Sequence, residues 1–178
     1  DRFVVSTQGG ESIAGVSGAV VEVTPTVEQV GELNLSVAPG ALLELPADGQ
    51  SSTTLLAEVK DVHGQPYPGI EVSFSTSQGA LPVATAATGE SGDMLGKVRV
   101  SLVSSPQVGE ALAVARVGAL SDSVTVSFVG GPAATVADFT ASPAQVGVGE
   151  KVVLRARVLD ALGNPVRNEP LTFSMTEN

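Results

Sequence analysis

The sequence predicts an all-β chain of tandem antiparallel β-sandwiches, and three observations predict it. Short segments such as Thr53–Asp61, Ile70–Phe74 and Lys97–Val103 alternate apolar and polar residues with a period of two, as half-buried strands do. Turn formers punctuate them, with 20 Gly and 11 Pro in 178 residues. Finally, Val59–Phe74 (VKDVHGQPYPGIEVSF) recurs as Val158–Phe173 (VLDALGNPVRNEPLTF), so that Asp61, Gly64, Pro66 and Phe74 align without a gap to Asp160, Gly163, Pro165 and Phe173. A 99-residue spacing between copies is a domain-sized repeat.

Composition narrows the function classes. The apolar residues are mostly Val, Ala and Leu, with 5 Phe, 1 Tyr and no Trp, so the core is built from small and β-branched side chains suited to a pleated surface. A net charge of −10 spread along the chain argues against nucleic acid and against anionic lipid, which both need clustered Lys and Arg. With no cysteine there are neither disulfides nor a thiolate nucleophile, a state that suits cytosolic and bacterial exported proteins alike. No apolar run approaches the roughly 20 residues of a membrane-spanning helix. Asp1 and Arg2 ahead of a brief apolar FVV do not resemble a signal peptide, and the chain reads as an internal piece of a longer protein or a processed form.

Taken in order, residues 1–30 offer two strands, Phe3–Ser6 and Ala19–Thr24, which belong to a preceding repeat or complement an incomplete one. Residues 31–130 read as one complete sandwich. Leu33–Val37 opens it, Pro39 breaks the strand, and Leu42–Leu45 resumes along a sheet edge. Thr53–Asp61 puts Leu55, Ala57 and Val59 on one face. His63–Gly69 is a turn, and Ile70, Val72 and Phe74 then share a face. Gly79–Thr88 is a weaker strand or pair broken at Pro82, and Gly89–Gly96 is an acidic, glycine-rich loop. Lys97–Val103 turns Val98, Val100 and Leu102 inward. In Gly109–Val117 the inward face is open, because Leu112 and Val114 compete with Ala113 and Ala115. Asp122–Val129 closes the set with Val124, Val126 and Phe128 inward, and Gly130-Gly131-Pro132 is a short linker. Residues 131–178 restart the pattern as an incomplete second copy: Ala141-Ser142-Pro143 echoes Val37-Ala38-Pro39, Val152, Leu154, Ala156 and Val158 align in Lys151–Asp160, and a strand at Phe173 follows the turn. No stretch carries a helical period or a capping box. About seven short strands in ~100 residues is the pattern of an antiparallel sandwich.

The pattern V-x-D-x-x-G-x-P-x-x-G-x-x-V-x-F, complete at Val59–Phe74, resembles the bacterial Ig-like domains of the invasin and intimin type, group 1; Gly109–Val117 and the closing SVTVSF of Ser123–Phe128 are similar to that family's last two strands. The resemblance covers roughly residues 33–130 and again 133–178. Asn168 replaces Gly69 in the second copy, another residue that tolerates left-handed backbone, and the Gly89–Gly96 loop is longer than the family's turn. The resemblance implies tandem immunoglobulin-like sandwiches on an exported bacterial protein, mostly acting as spacers in extracellular stalks or adhesins.

Against that background a few residues invite a functional reading. Asp61 and Asp160 are hard oxygen donors for Ca²⁺, but each turn supplies one carboxylate, so an Asx-turn is the stronger reading. Glu90 and Asp93 form a second Ca²⁺ candidate without EF-hand spacing, better read as a solvated loop. His63, the single histidine, lacks the partners of a triad or zinc site. Gly9-Gly10 lacks the Lys and strand–helix context of a phosphate loop, and the Asn34-Leu35-Ser36 sequon reads as chance. No catalytic residue and no cofactor is therefore expected.

The reading is a non-enzymatic structural or adhesion module, a stalk or spacer in a tandem array on a bacterial cell surface. Its partners are neighbouring repeats or identical subunits, or a host or cell-surface protein or glycan. One alternative is a subunit of an extracellular filament or surface assembly, joined to its neighbours by strand complementation. The other is an ancillary carbohydrate-binding domain of a secreted enzyme, for which Tyr67 is the one plausible aromatic platform.

Overall fold

A computed structural model describes residues 29–175. The expected strands Phe3–Ser6 and Ala19–Thr24 lie outside these residues. Ten strands follow: β1 (Val30–Val37), β2 (Glu44–Pro46), β3 (Ser52–Asp61), β4 (Glu71–Thr76), β5 (Thr85–Ala87), β6 (Lys97–Val103), β7 (Gly109–Val117), β8 (Leu120–Val129), β9 (Thr135–Ser142) and β10 (Val153–Leu159). A single 3₁₀ turn, Gly92–Met94, sits in the acidic loop.

Two sheets face each other across residues 30–129. One is β1-β3-β6 and the other β2-β8-β7-β4-β5; every pairing is antiparallel except that of β2 with β8. The leading strand is thus divided between the sheets. It runs as β1 in the first, breaks at Pro39-Gly40, where Gly40 takes φ 80°, and resumes as β2 on the edge of the second. A proline ring with fixed φ followed by a left-handed glycine redirects a chain in two residues. The strand expected at Leu42–Leu45 begins two positions later and ends one later, as Glu44–Pro46, leaving Leu42 and Leu43 exposed and Leu45 buried.

Alternation translates directly into the core. Leu55, Ala57 and Val59 of β3 meet Val98, Val100 and Leu102 of β6 on one inner face, while Val72 and Phe74 of β4 and Val126 and Phe128 of β8 line the other. The open question in β7 resolves to the alanine face. Ala111, Ala113 and Ala115 are fully buried, and Leu112 is 45% exposed. Cross-strand partners share a face, and Phe74 pairs with Ala115 while Val126 pairs with Ala111. Large side chains on the flanking strands leave room only for small ones on the central strand.

β9 and β10 form a separate two-stranded antiparallel sheet, with a register shift between Arg155 and Arg157. Here alternation does not bury the apolar set: Val153, Leu154, Val136 and Phe139 stay exposed. No strand forms at Phe173, contrary to the expectation; residues 168–175 take no regular structure, and the Phe173 ring tilts against Phe139 at 5.9 Å between centroids. A strand needs a ladder partner for its backbone groups, and none lies beside this segment among the described residues.

Candidate functional site: the aspartate turns and the pole they meet

The repeated motif builds the same turn twice. The Asp61 Oδ1 atom accepts from the His63 and Gln65 amides at 2.8 and 2.9 Å, the Gly64 amide donates to the Asp61 carbonyl, and the Asp61 amide donates to the Gln65 carbonyl. Asp160 Oδ1 likewise accepts from the Leu162 and Asn164 amides at 2.9 and 2.8 Å, with the Gly163 and Asp160 amides bonded in the same way. Gly64 and Gly163 adopt φ 80° and 85°, and Gly69 and Asn168 adopt 71° and 57°. These left-handed positions explain why the motif holds Gly, or Asn in its place.

The electrostatics follow from those bonds. The Gln65 amide, with smaller contributions from His63, holds the Asp61 carboxyl below its ordinary range. At Asp160 burial pushes the carboxyl up, but bonds from the Gly131 and Asn164 amides and the Asn164 side chain outweigh it, and the net shift is downward. Both carboxylates spend Oδ1 on their own turn, as an Asx-turn requires.

The two turns differ in what they touch. Asp160 Oδ2 accepts from the linker amide of Gly131 at 3.0 Å and from Asn164 Nδ2 at 3.1 Å. Asn164, only 7% exposed, also donates through Nδ2 to the carbonyls of Ala47 (3.2 Å) and Pro106 (3.0 Å), and its Oδ1 accepts from the Val108 amide at 3.3 Å. Its counterpart Gln65 is exposed and makes no side-chain hydrogen bond among the described residues.

Asp48 is the carboxylate that the sequence reading missed. Its Oδ1 accepts from the Gln50 and Ser51 amides and from Ser104 Oγ, and its Oδ2 from Ser51 Oγ at 2.6 Å. These bonds, Ser51's above all, hold it far below the usual carboxylate range. The signal was present as Asp48-Gly49-Gln50-Ser51, an Asx-type turn, but it occurs once and so escaped a reading led by repetition.

The remaining candidates stand apart. Glu90 and Asp93 are exposed in the 3₁₀ loop, His63 is exposed at the tip of its turn, and no three of Asp, Glu and His gather as metal ligands among the described residues. Asn34 lies within β1. Tyr67 is half-buried against the core and its hydroxyl donates to Gln29 Oε1 at 2.7 Å, so its ring is not an open platform.

The sequence profile of the bacterial Ig-like domain, group 1, matches residues 43–129. The sandwich is a bacterial Ig-like domain of that group. The chain is 30% identical over 125 residues to the inverse autotransporter adhesin YeeJ of Escherichia coli strain K12, an alignment covering 68% of this chain and 5% of that protein. The chain therefore spans a small fraction of the curated relative it matches. Among solved structures, invasin, described as a bacterial integrin-binding protein, superposes with TM-score 0.61 at 23% identity, over 84% of this chain and 30% of invasin. The Ig-like fold is shared with invasin, and the domain type with a bacterial adhesin. No helix among the described residues is long and apolar enough to cross a membrane.

Proposed function

We propose that the chain is a non-enzymatic spacer segment of a bacterial surface adhesin, with residues 31–130 as one complete Ig-like module, residues 131–178 as the beginning of the next, and residues 1–30 as the end of the one before. The observation that carries this reading is the turn built twice with the same hydrogen bonds, at Asp61 and at Asp160. A reaction centre would use its carboxylate on a substrate, whereas these use theirs on their own backbone. The relative's description as an adhesin supports surface display. The direct partner of each module is then its neighbour, and a host protein or glycan would be engaged elsewhere in the array. Antibodies raised against the sandwich should label intact cells producing the full-length protein, and surface protease should remove the epitope. Labelling only after permeabilisation would refute the assignment.

A second reading, assembly through strand addition between chains, draws on the exposed Val136, Phe139 and Val153 of the β9–β10 sheet. Sedimentation of the purified 178-residue chain separates the two, with concentration-dependent oligomers supporting addition and a monomer supporting the spacer.

A further inference from the structure

We propose that Asn164 is an inter-module latch: it seats the Asp160 turn in a preformed socket on the pole of the Ig-like domain and fixes the following segment in one orientation. The latch rests on residues 131–178 being the start of a second module, and it holds whatever partner the protein engages. Linker composition alone points the other way. A Gly130-Gly131 pair is a flexible tether, and module pairs with small interfaces move relative to each other by default.

The geometry removes that freedom at three places. Gly131 donates its amide to Asp160 Oδ2, closing the linker onto the turn. Gly130 lies so close under the Pro165 carbonyl that any Cβ at this position would collide with it. The Asn164 side chain then spans three segments, joining its own Asp160 to the carbonyls of Ala47 and Pro106 and the amide of Val108. Those partners lie 56 to 117 residues away in sequence, so the bonds are tertiary rather than part of the turn.

The socket is held before the turn arrives. Ala47 donates its amide to the Val129 carbonyl at 2.7 Å, the next residue Asp48 is fixed by Ser51 and Ser104, and Pro106 has a ring-locked φ. A short, planar amide suits this spot: its two N–H donors are shared among two carbonyls and a carboxylate, one of them bifurcated, while its oxygen accepts from the Val108 N–H. Beside the contact a mostly apolar crevice of about 420 Å³ separates Pro46 and Ala47 from Pro132 and Leu162. The modules therefore meet at a pinned point with open space alongside, and pivoting at that point is what the amide prevents. Within the buried site its bonds are strengthened, and removing it leaves an amide and two carbonyls without partners.

The chain contains no cysteine, so a spin-label pair can be placed with Ser101→Cys in β6 and Arg155→Cys in β10, both exposed. Pulsed electron paramagnetic resonance on the 178-residue chain should give one narrow distance peak. Asn164→Ala should abolish it in favour of a broad distribution, and so should Asn164→Asp, which retains acceptors but cannot donate. Gln65→Ala should leave the peak unchanged. Hydrogen exchange at the Ala134 and Val166 amides, which donate to the Leu159 and Val158 carbonyls of β10, followed in each variant, reports whether β10 and its turn stay folded. A broad parent distribution, or a narrow peak in both Asn164 variants, overturns the proposal. So does loss of β10 protection in both variants, which would make Asn164 a residue of local folding instead of a latch.

Discussion

The Leu35 backbone amide donates to Asp122 Oδ2 at 2.7 Å, joining the edge of one sheet to the last strand of the other across 87 residues of sequence. Asp122 continues the inward parity of Val124, Val126 and Phe128 in β8, yet at the end of the strand that parity aims a carboxylate at the side of β1. An edge amide that would otherwise be open to another chain is thereby capped. Asp122→Ala should lower stability by about 1 kcal/mol, the scale of a partly exposed hydrogen bond to a charged group. The Leu35 amide should also exchange faster in the native state, and unchanged exchange would show that the bond does not protect the edge.

The alanine face of β7 makes a contrasting pair of substitutions informative. Ala113 has no exposure, and Ala113→Val should cost about 1–3 kcal/mol by overpacking. Leu112 is 45% exposed, and Leu112→Ala should stay within about 0.5 kcal/mol of the parent. Urea unfolding midpoints at equal slope would check both values, and a reversed order would mean that the strand is turned over.

Two glycines separate backbone strain from collision. Gly64 has φ 80° with open space around its missing Cβ, so Gly64→Ala should cost only the left-handed penalty of about 1–2 kcal/mol. Gly79 has φ 78°, and a Cβ there would strike the Val103 carbonyl and sit 3.0 Å from the Phe128 ring. Gly79→Ala should therefore destabilise clearly more than Gly64→Ala, and paired thermal melts would read the difference.

Acid should weaken the fold through three carboxylates. Asp48, Asp61 and Asp160 all titrate lower in the folded chain than the ordinary 3.8. The unfolded chain then binds more protons across that interval, so the stabilisation is complete above the ordinary value and is lost as pH falls through the lowered ones. Urea midpoints should be flat from neutral down to about pH 5 and fall below about pH 4. Asp48→Asn should make that decline shallower, because its bonds from Ser51 and Ser104 no longer favour an anion. An equally steep decline would place the acid sensitivity elsewhere.

How far the sequence could be read depended on whether a signal was local. Alternation located β3, β6, β7 and β8 to within two residues, because a half-buried strand carries its own period of two. The Asp61 and Asp160 turns were legible from Asp, Gly and Pro at fixed spacing, since every bond inside the turn joins residues a few positions apart. Left-handed geometry at Asn168 followed from its alignment with Gly69.

What remained open was set by residues distant in sequence. The inward face of β7 was decided by Phe74 and Val126 on the strands beside it, the exposure of Phe173 by the lack of a ladder partner, and the roles of Asp122 and Asn164 by backbone groups 56 to 117 residues away. The two repeated turns make the division plain. Their hydrogen bonds are written in five residues of local sequence and are the same in both copies. Yet Gln65 meets solvent and Asn164 meets Ala47, Pro106 and Val108, a difference that exists only where the folded chain brings another segment against the turn.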